Sequence, residues 1–316
     1  MKVLIAGASG AIGMPLVRRL RASSHEVVAL HRDPEAHHRL AAAGTTPVRA
    51  DVLDRCALLR ALDGDRVDAV ISQLTSLKKV PMRHRDMAMT DRLRDEGTRN
   101  LRAAAEQAGA LRFLTQSFVF GYGYGNWHRR VLTESDRFAP PGKGRFEAHL
   151  AAMRANEEQA LRAETMAGIA LRYGLLYGPG PAGDALVEAL RRRRLPAVRH
   201  PDVEPWLYID DAVSATLAAL EHGEGGTAYN IVDDEPVSMS RLAIALADAI
   251  GLPKPPTVPA WMLAAAPYAK AVALGGLRIS NAKAKRELSW MPDVPTYQEG
   301  VRRMADHYRE DFARPA

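Results

Sequence analysis

The sequence predicts an α/β protein built on a doubly wound parallel sheet, with a smaller C-terminal subdomain. Three observations carry that expectation. Short apolar strand-like segments alternate with amphipathic helical stretches from the first residue. A glycine-rich turn joins the first strand to the first helix. The chain has 316 residues, 47% of them hydrophobic, enough to fill a large core.

Taken in order, Lys2–Ala6 reads as a buried strand and Met14–Ala22 as the helix after the turn. Strand character returns at Glu26–Leu30, Pro47–Asp51, Asp68–Ser72, Arg112–Phe118 and Gly168–Tyr173. Between these, Glu35–Ala43, Cys56–Leu62 and Gly97–Gln107 carry helical patterns. Asp33-Pro34 supplies the N-cap and first-turn proline of the second helix, and Gly44 closes it. Pro and Gly cluster at Pro140–Gly144, Gly178–Gly183 and Pro253–Pro259, the expected crossings between subdomains. These breaks divide the chain into a nucleotide-binding unit of residues 1–176, to which 206–235 return, and a second unit of 177–205 and 236–316.

Composition removes several functions. The formal charge is +6, but 35 arginines against eight lysines lie scattered along the chain. The one basic run, Arg191–Arg194, follows an alanine-rich helix whose negative end it suits. Without an aromatic-interleaved basic stripe or a reader motif, nucleic acid is not an expected partner. A lone cysteine, Cys56, excludes a disulfide scaffold and a cysteine-ligated zinc, and fits a cytoplasmic protein. The chain opens on a strand rather than a leader. The most apolar stretch, Trp261–Leu277, is interrupted by Pro267 and Lys270 and too short to span a membrane. No histidine pair has metal-ligand spacing on a helix, so no metal is expected.

The turn reads Gly7-Ala8-Ser9-Gly10-Ala11-Ile12-Gly13. Glycines there permit a tight bend and close backbone approach to a pyrophosphate, with a helix N-terminus aimed at the charge, as in a Rossmann-type domain. Gly7, Ser9, Gly10, Ala11, Ile12 and Gly13 are therefore the expected phosphate cradle. At the end of the second strand His31 stands where an acidic residue would hold a ribose hydroxyl, and Arg32 follows it. An arginine there suits a 2′-phosphate, so NADP(H) is preferred over NAD(H). Asp51 and Val52 are expected beside the adenine; Gln73 and Tyr173 complete the cofactor set.

Further motifs make the chain similar to a known family. Gly97-Thr98-Arg99-Asn100-Leu101, Leu171-Arg172-Tyr173-Gly174, Tyr177-Gly178-Pro179-Gly180, Leu207-Tyr208-Ile209-Asp210-Asp211, Tyr229-Asn230-Ile231-Val232 and Glu287–Pro292 occur in the family's order. The sequence resembles the extended short-chain dehydrogenase/reductases, in their NAD-dependent epimerase/dehydratase branch, over essentially its whole length. The resemblance implies a C-terminal substrate-binding subdomain, with substrate in the cleft. It implies catalysis by Tyr-x-x-x-Lys with a nearby Ser or Thr, and that pattern is missing. No tyrosine occurs between Tyr124 and Tyr173. Depending on which of Glu157 and Glu158 is aligned, the tyrosine position holds His149 or Leu150 and the lysine position Met153 or Arg154. Gln116 falls at the Ser/Thr position, with Ser117 beside it.

Gln116 and Ser117 could orient a carbonyl. Three sources of a proton remain. An imidazole such as that of His149 suits acid–base work. Tyr122 and Tyr124, in the glycine-rich stretch Gly121–Gly125, could also reach the cleft. A hydroxyl beside the ketone of an aromatic polyketide could assist its own reduction. Phe118, Tyr122, Tyr124, Trp127 and Trp206 supply aromatic surface for a planar ligand. Glu204-Pro205-Trp206 replaces the arginine-bearing stretch with which sugar-nucleotide members hold a diphosphate. The favoured reading is an NADPH-dependent ketoreductase of a polycyclic aromatic ketone, resembling tyrosine-lacking ketoreductases of angucyclinone (simocyclinone-type) biosynthesis. The alternatives are a non-redox NADP(H)-binding regulator and an isomerase, dehydratase or epimerase that retains NADP(H). The partner is a small aromatic molecule, the chain is a monomer or homodimer, and Ser76–Met89 is a candidate lid.

Overall fold

A computed structural model describes residues 1–77, 81–125, 127 and 130–313. Seven strands form the central sheet: β1 (Lys2–Ala6), β2 (Glu26–His31), β3 (Thr46–Arg49), β4 (Ala69–Ser72), β5 (Arg112–Phe118), β6 (Ala167–Tyr173) and β7 (Thr227–Ile231). Their order is β7-β6-β5-β4-β1-β2-β3, every pair parallel. Val3 of β1 lies beside Val27 of β2 and Ala69 of β4, so the winding reverses at β1. In such sheets the ligand crevice opens beyond the carboxyl ends at that reversal.

The helices that cover the sheet are α1 (Gly13–Ala22), α2 (Pro34–Ala42), α3 (Arg55–Ala61), α4 (Thr98–Gln107), α5 (Glu147–Leu161) and α6 (Ile209–His222). Leu16, Val17 and Leu20 of α1 join Val213 and Leu220 of α6 over Ile5, Ile71 and Leu171. On the other face Leu58 of α3 and Leu101 of α4 cover Leu4, Val70 and Phe113. Strands enclosed on both faces read as continuous apolar runs, which is why β1 and β4 were visible in the sequence. Asp33 caps α2 as expected, its carboxylate accepting the Glu35 N–H at 3.0 Å.

One helix departs from expectation. The path into α4 begins at Ala88, not Gly97, and passes through a wide turn over Leu93–Gly97. Gly97 keeps ordinary helical angles, and its small size lets the helix lie against Val52 and Leu74. It is a packing glycine rather than a helix start. The extra turns carry Asp91 and Arg94 toward the crevice.

A second core contains Tyr177, Trp206, Tyr208, Leu246 and Met304. It is built on the parallel pair Leu175–Tyr177 and Trp206–Tyr208 with helices Met239–Ala249 and Tyr297–Ala313. Between the cores, Val119, Phe120, Tyr122, Leu132 and Met153 form a compact cluster under the crevice.

The two inner strands and α5 are tied by charge. Glu157 of α5 receives Arg172 of β6 through a fork, Nε to Oε1 at 2.9 Å and Nη2 to Oε2 at 2.7 Å. Ser117 of β5 donates to Glu157 Oε1 at 2.5 Å, and Arg172 Nη1 donates to the Tyr122 hydroxyl at 2.7 Å. Removing one partner of a buried pair leaves an uncompensated charge, at a cost of roughly 3–5 kcal/mol. Glu157→Leu is therefore expected to lower the urea midpoint by that equivalent, and Ser117→Ala by far less. Equal midpoints for wild type and Glu157→Leu would show that the pair does not hold α5.

Candidate functional site

The glycine turn has the geometry of a cradle. Gly7 adopts a φ of +84°, and a Cβ placed on it would stand 2.5 Å from the Gln73 carbonyl oxygen. A Cβ on Gly13 would stand 2.1 Å from the Gly7 carbonyl oxygen. Only glycine lets the turn close this tightly. α1 then begins without a side-chain cap or an acidic residue in its first turn, leaving its N–H groups for an anion. Ser9, Gly10 and Ala11 lie along the outside of the turn, while Ile12 is buried in the core beneath it. Gln73 follows β4, buried, its amide N–H donating to the Tyr173 hydroxyl at 3.1 Å and its Oε1 without a partner among the described residues. An orphaned acceptor beside a glycine cradle fits a dinucleotide at this crevice.

At the far end of the crevice, a cleft of about 600 Å³ is lined by Arg32, Asp33, Arg49, Ala50 and Asp51. Arg32 directly follows β2 and Arg49 ends β3; both are exposed and have no ion-pair partner among the described residues. Arg49 was not singled out from sequence, because its strand end is adjacent to Arg32 only through parallel pairing: His31 pairs with Arg49. His31 itself is buried, Nδ1 2.9 Å from the Asp33 carbonyl and Nε2 3.3 Å from His37 Nδ1. It braces the turn that presents Arg32. Asp51 accepts the Leu53 N–H at 2.9 Å, and Val52 packs on Gly97.

The tyrosine position has been rebuilt. Of the two candidate glutamates, Glu157 is buried against Arg172, whereas Glu158 is exposed with Arg162. Aligning the buried glutamate puts His149 where the family has tyrosine and Met153 where it has lysine. Met153 lies in the apolar cluster, so no cation replaces the lysine there. His149 is 2% exposed, with Nδ1 2.5 Å from Asp91 Oδ2 and Nε2 3.0 Å from His84 Nδ1. The imidazole planes differ by 7°. A carboxylate only accepts, so His149 Nδ1 carries hydrogen, and one of the two facing nitrogens carries the other. This line can pass a proton between the rings. Burial, then the nearby His149 and Arg145, push His84 below the ordinary imidazole range. His84 is half-buried, and its Nε2 has no hydrogen-bond partner among the described residues.

Aromatic rings surround this line. Phe146 stands 4.6 Å from His84 and 4.3 Å from Tyr124 between centroids. The Tyr124 and Tyr268 hydroxyls are 3.0 Å apart, and burial pushes both phenols up, which makes them weaker proton donors. Phe118 at the end of β5 lies beneath the Arg94 guanidinium, 5.8 Å from its centroid. Tyr268 donates its backbone N–H to Met82, so part of the candidate lid is pinned to the C-terminal subdomain. Residues 78–80 of that lid lie outside the described residues.

Several sequence expectations are corrected. Ser117 donates its hydroxyl to Glu157 on α5 and is buried there, so that hydrogen is not free for a carbonyl. Tyr122 is wholly buried, its one hydroxyl hydrogen within reach of the Thr133 carbonyl at 3.0 Å and Asn230 Oδ1 at 2.9 Å, and it forms core rather than cleft wall. Tyr173 is likewise fully buried between Gln73 and Thr216, with burial raising its hydroxyl to about 12; it supports Gln73 instead of meeting the cofactor. Trp206 donates to the Val237 carbonyl at 2.8 Å inside the second core, and Glu204 is buried against the Met239 N–H. Gln116, half-buried, alternates to the opposite strand face from Ser117. Trp127 is half-buried at the margin of the apolar cluster, its indole N–H unpartnered among the described residues. His84, Asp91 and Arg94 were missed, since 65 residues separate His84 from His149 and no local pattern links them.

Comparison with known proteins agrees with the fold. The family model described as the NAD dependent epimerase/dehydratase family matches residues 3–232. A 3-diazoavenalumate denitrifying reductase from a Streptomyces species is 36% identical, across 96% of this chain and all of that protein. A 2-alkyl-3-oxoalkanoate reductase of Stenotrophomonas maltophilia is 30% identical over 80% of this chain and 77% of its own. The Thermus thermophilus UDP-glucose 4-epimerase complex with NAD superposes with a TM-score of 0.78 at 25% identity, covering 98% and 99% of the two chains. Gly13→Ala is expected to abolish dinucleotide binding while leaving a folded protein, read by fluorescence titration and circular dichroism. Retained affinity would show that the turn can open to admit a Cβ.

Proposed function

The chain belongs to the NAD-dependent epimerase/dehydratase family, a family of oxidoreductases, and from that premise we propose that it is an NADPH-dependent reductase of a planar aromatic ketone. The observation that carries this reading is the Asp91–His149–His84 line at the tyrosine position. Gly7, Gly10 and Gly13 would hold the pyrophosphate, Asp51 and Val52 the adenine end, and Gln73 the inner part of the cofactor. Arg32 and Arg49 would share the 2′-phosphate. When bound, the nicotinamide supplies hydride. Phe118, Tyr124, Phe146 and Tyr268, packed on one another, would offer one aromatic wall to the substrate ring, with Trp127 at the margin and Gln116 at the strand end. Hydride adds to the carbonyl carbon, the π pair moves to oxygen, and that oxygen takes a proton from His84 Nε2. Asp91 and His149 position His84 and accommodate the charge that moves along the line. Holding both reactants in place supplies much of the rate.

A second reading follows from the 36% identical relative, whose name records loss of nitrogen. If the ring carried a diazonium group, hydride would form a C–H bond as the C–N bond breaks, its pair leaving with dinitrogen. No oxygen then needs a proton, which suits a chain without the tyrosine–lysine pair.

Two measurements test these readings. Arg32→Ala with Arg49→Ala is expected to weaken NADPH binding by at least about 10-fold, given two charged contacts of roughly 1.5 kcal/mol each, while NADH binding stays level. Equal losses for both cofactors would remove the 2′-phosphate assignment. His149→Gln should lower ketone turnover about 100-fold, the low end for positioned acid–base catalysis. Because His84 must be protonated and sits below the imidazole range, wild-type turnover should fall as pH rises through that region, and His84→Gln should flatten the profile. Nitrogen release from an aryl diazonium, matched to NADPH consumed and unaffected by His149→Gln, would favour the second reading.

A further inference from the structure

Arg94 is buried, 9% exposed, yet its guanidinium donates no hydrogen bond to any described residue. Among the described residues its one ion-pair partner is Asp91, with Nη1 to Oδ1 at 3.7 Å, beyond hydrogen-bonding range, and neither of those atoms has a hydrogen-bond partner there. The other Asp91 oxygen is taken by His149. A buried Nη1 without an acceptor is costly, and a planar anion on the guanidinium would supply one. The residues around it say which anion. Phe118 lies under the guanidinium, and Tyr124 and Tyr268 stand near enough to feel its charge. These are walls for a ring. Arg94 itself projects from the wide turn Leu93–Gly97, a helical irregularity that often re-aims a side chain at functional sites. A diphosphate would call for several cations, whereas one fork beside aromatic walls suits a single carboxylate.

We propose that Arg94 is a specificity-determining residue that receives a carboxylate carried by the aromatic substrate. The assignment rests on the proposed reductase reading, and it narrows the substrate class to aromatic acids. It holds whether the reduced group is a ketone or a diazonium, because the carboxylate is the handle and not the reacting centre. Asp91, freed from serving Arg94, then stays with His149.

The test reads binding without turnover. NADP⁺-loaded protein is titrated with 2-naphthoate and with 2-naphthamide, which differ in charge but hardly in shape. Wild type is expected to bind the carboxylate at least about 10-fold more tightly, a modest value for a charge-assisted fork. Arg94→Gln should erase the preference with NADP⁺ affinity unchanged, and Arg94→Lys should keep only part of it. Equal binding of the two probes by wild type, or a preference that survives in Arg94→Gln, would overturn the proposal. If Arg94→Gln does not fold, the wild-type ratio and Arg94→Lys decide. NADPH oxidation is followed separately: carboxylate preference without oxidation of any aromatic acid counts against the reductase reading alone. Oxidation with no carboxylate preference counts against Arg94 alone.

Discussion

The buried fork between Glu157 and Arg172 is the constraint on which the site depends. It joins α5 to β6 and, through Ser117, to β5. It also reaches Tyr122, whose hydroxyl bonds Asn230 of β7, so four elements share one polar network inside an apolar surround. Such a network tolerates little displacement, because every member would lose a partner in low dielectric. His149 lies two turns before Glu157 on the same helix. Its position over Asp91 and His84 is therefore set from within the core rather than by the loops around the crevice.

That arrangement explains how the tyrosine–lysine pair can be absent without leaving a vacant surface. A phenol used near neutral pH needs a nearby cation to draw its proton away. With Met153 in the lysine position, a tyrosine at 149 would lack that help. An imidazole needs none, only a carboxylate to fix its tautomer, and Asp91 is placed to do so at 2.5 Å. The segment that carries Asp91 exists because the helix runs on past Gly97 through the wide turn. One irregular turn thus delivers both the carboxylate and Arg94.

Legibility in the sequence followed the range of the interactions. The glycine turn, the Asp33 cap and the buried strands are set by neighbours within a few residues, and each was readable. The place of Arg32 just after β2 was readable for the same reason, while that of Arg49 beside it needed the pairing of β2 with β3. Tyr122 and Tyr124 looked alike in sequence, but the tight turn Val119–Tyr122 buries the first and leaves the second facing Phe146. Ser117 and Gln116 differ only by strand alternation, which depends on which face α5 covers. Trp206 was misplaced because an aromatic residue beside a family landmark serves a core as readily as a ligand. His84 and Arg94 lie in a stretch whose local pattern carries no chemistry, and only tertiary packing brings them to His149.

Asp91 stands between His149 and Arg94. It has one negative charge and two claimants: His149, bonded to Oδ2, and Arg94, held off from Oδ1. As long as Arg94 lacks another anion, part of the Asp91 field is drawn toward the guanidinium and away from the imidazole. An anionic ligand on Arg94 would reverse that division, leaving the carboxylate to His149 alone. Electrostatic coupling over these distances is strong because the surroundings are largely apolar and exclude water. A substrate that brings its own carboxylate would thereby prepare the proton line that serves it, and a neutral aromatic molecule of the same shape would not. Specificity and proton delivery then share one side chain, consistent with its position between the wide turn and α5.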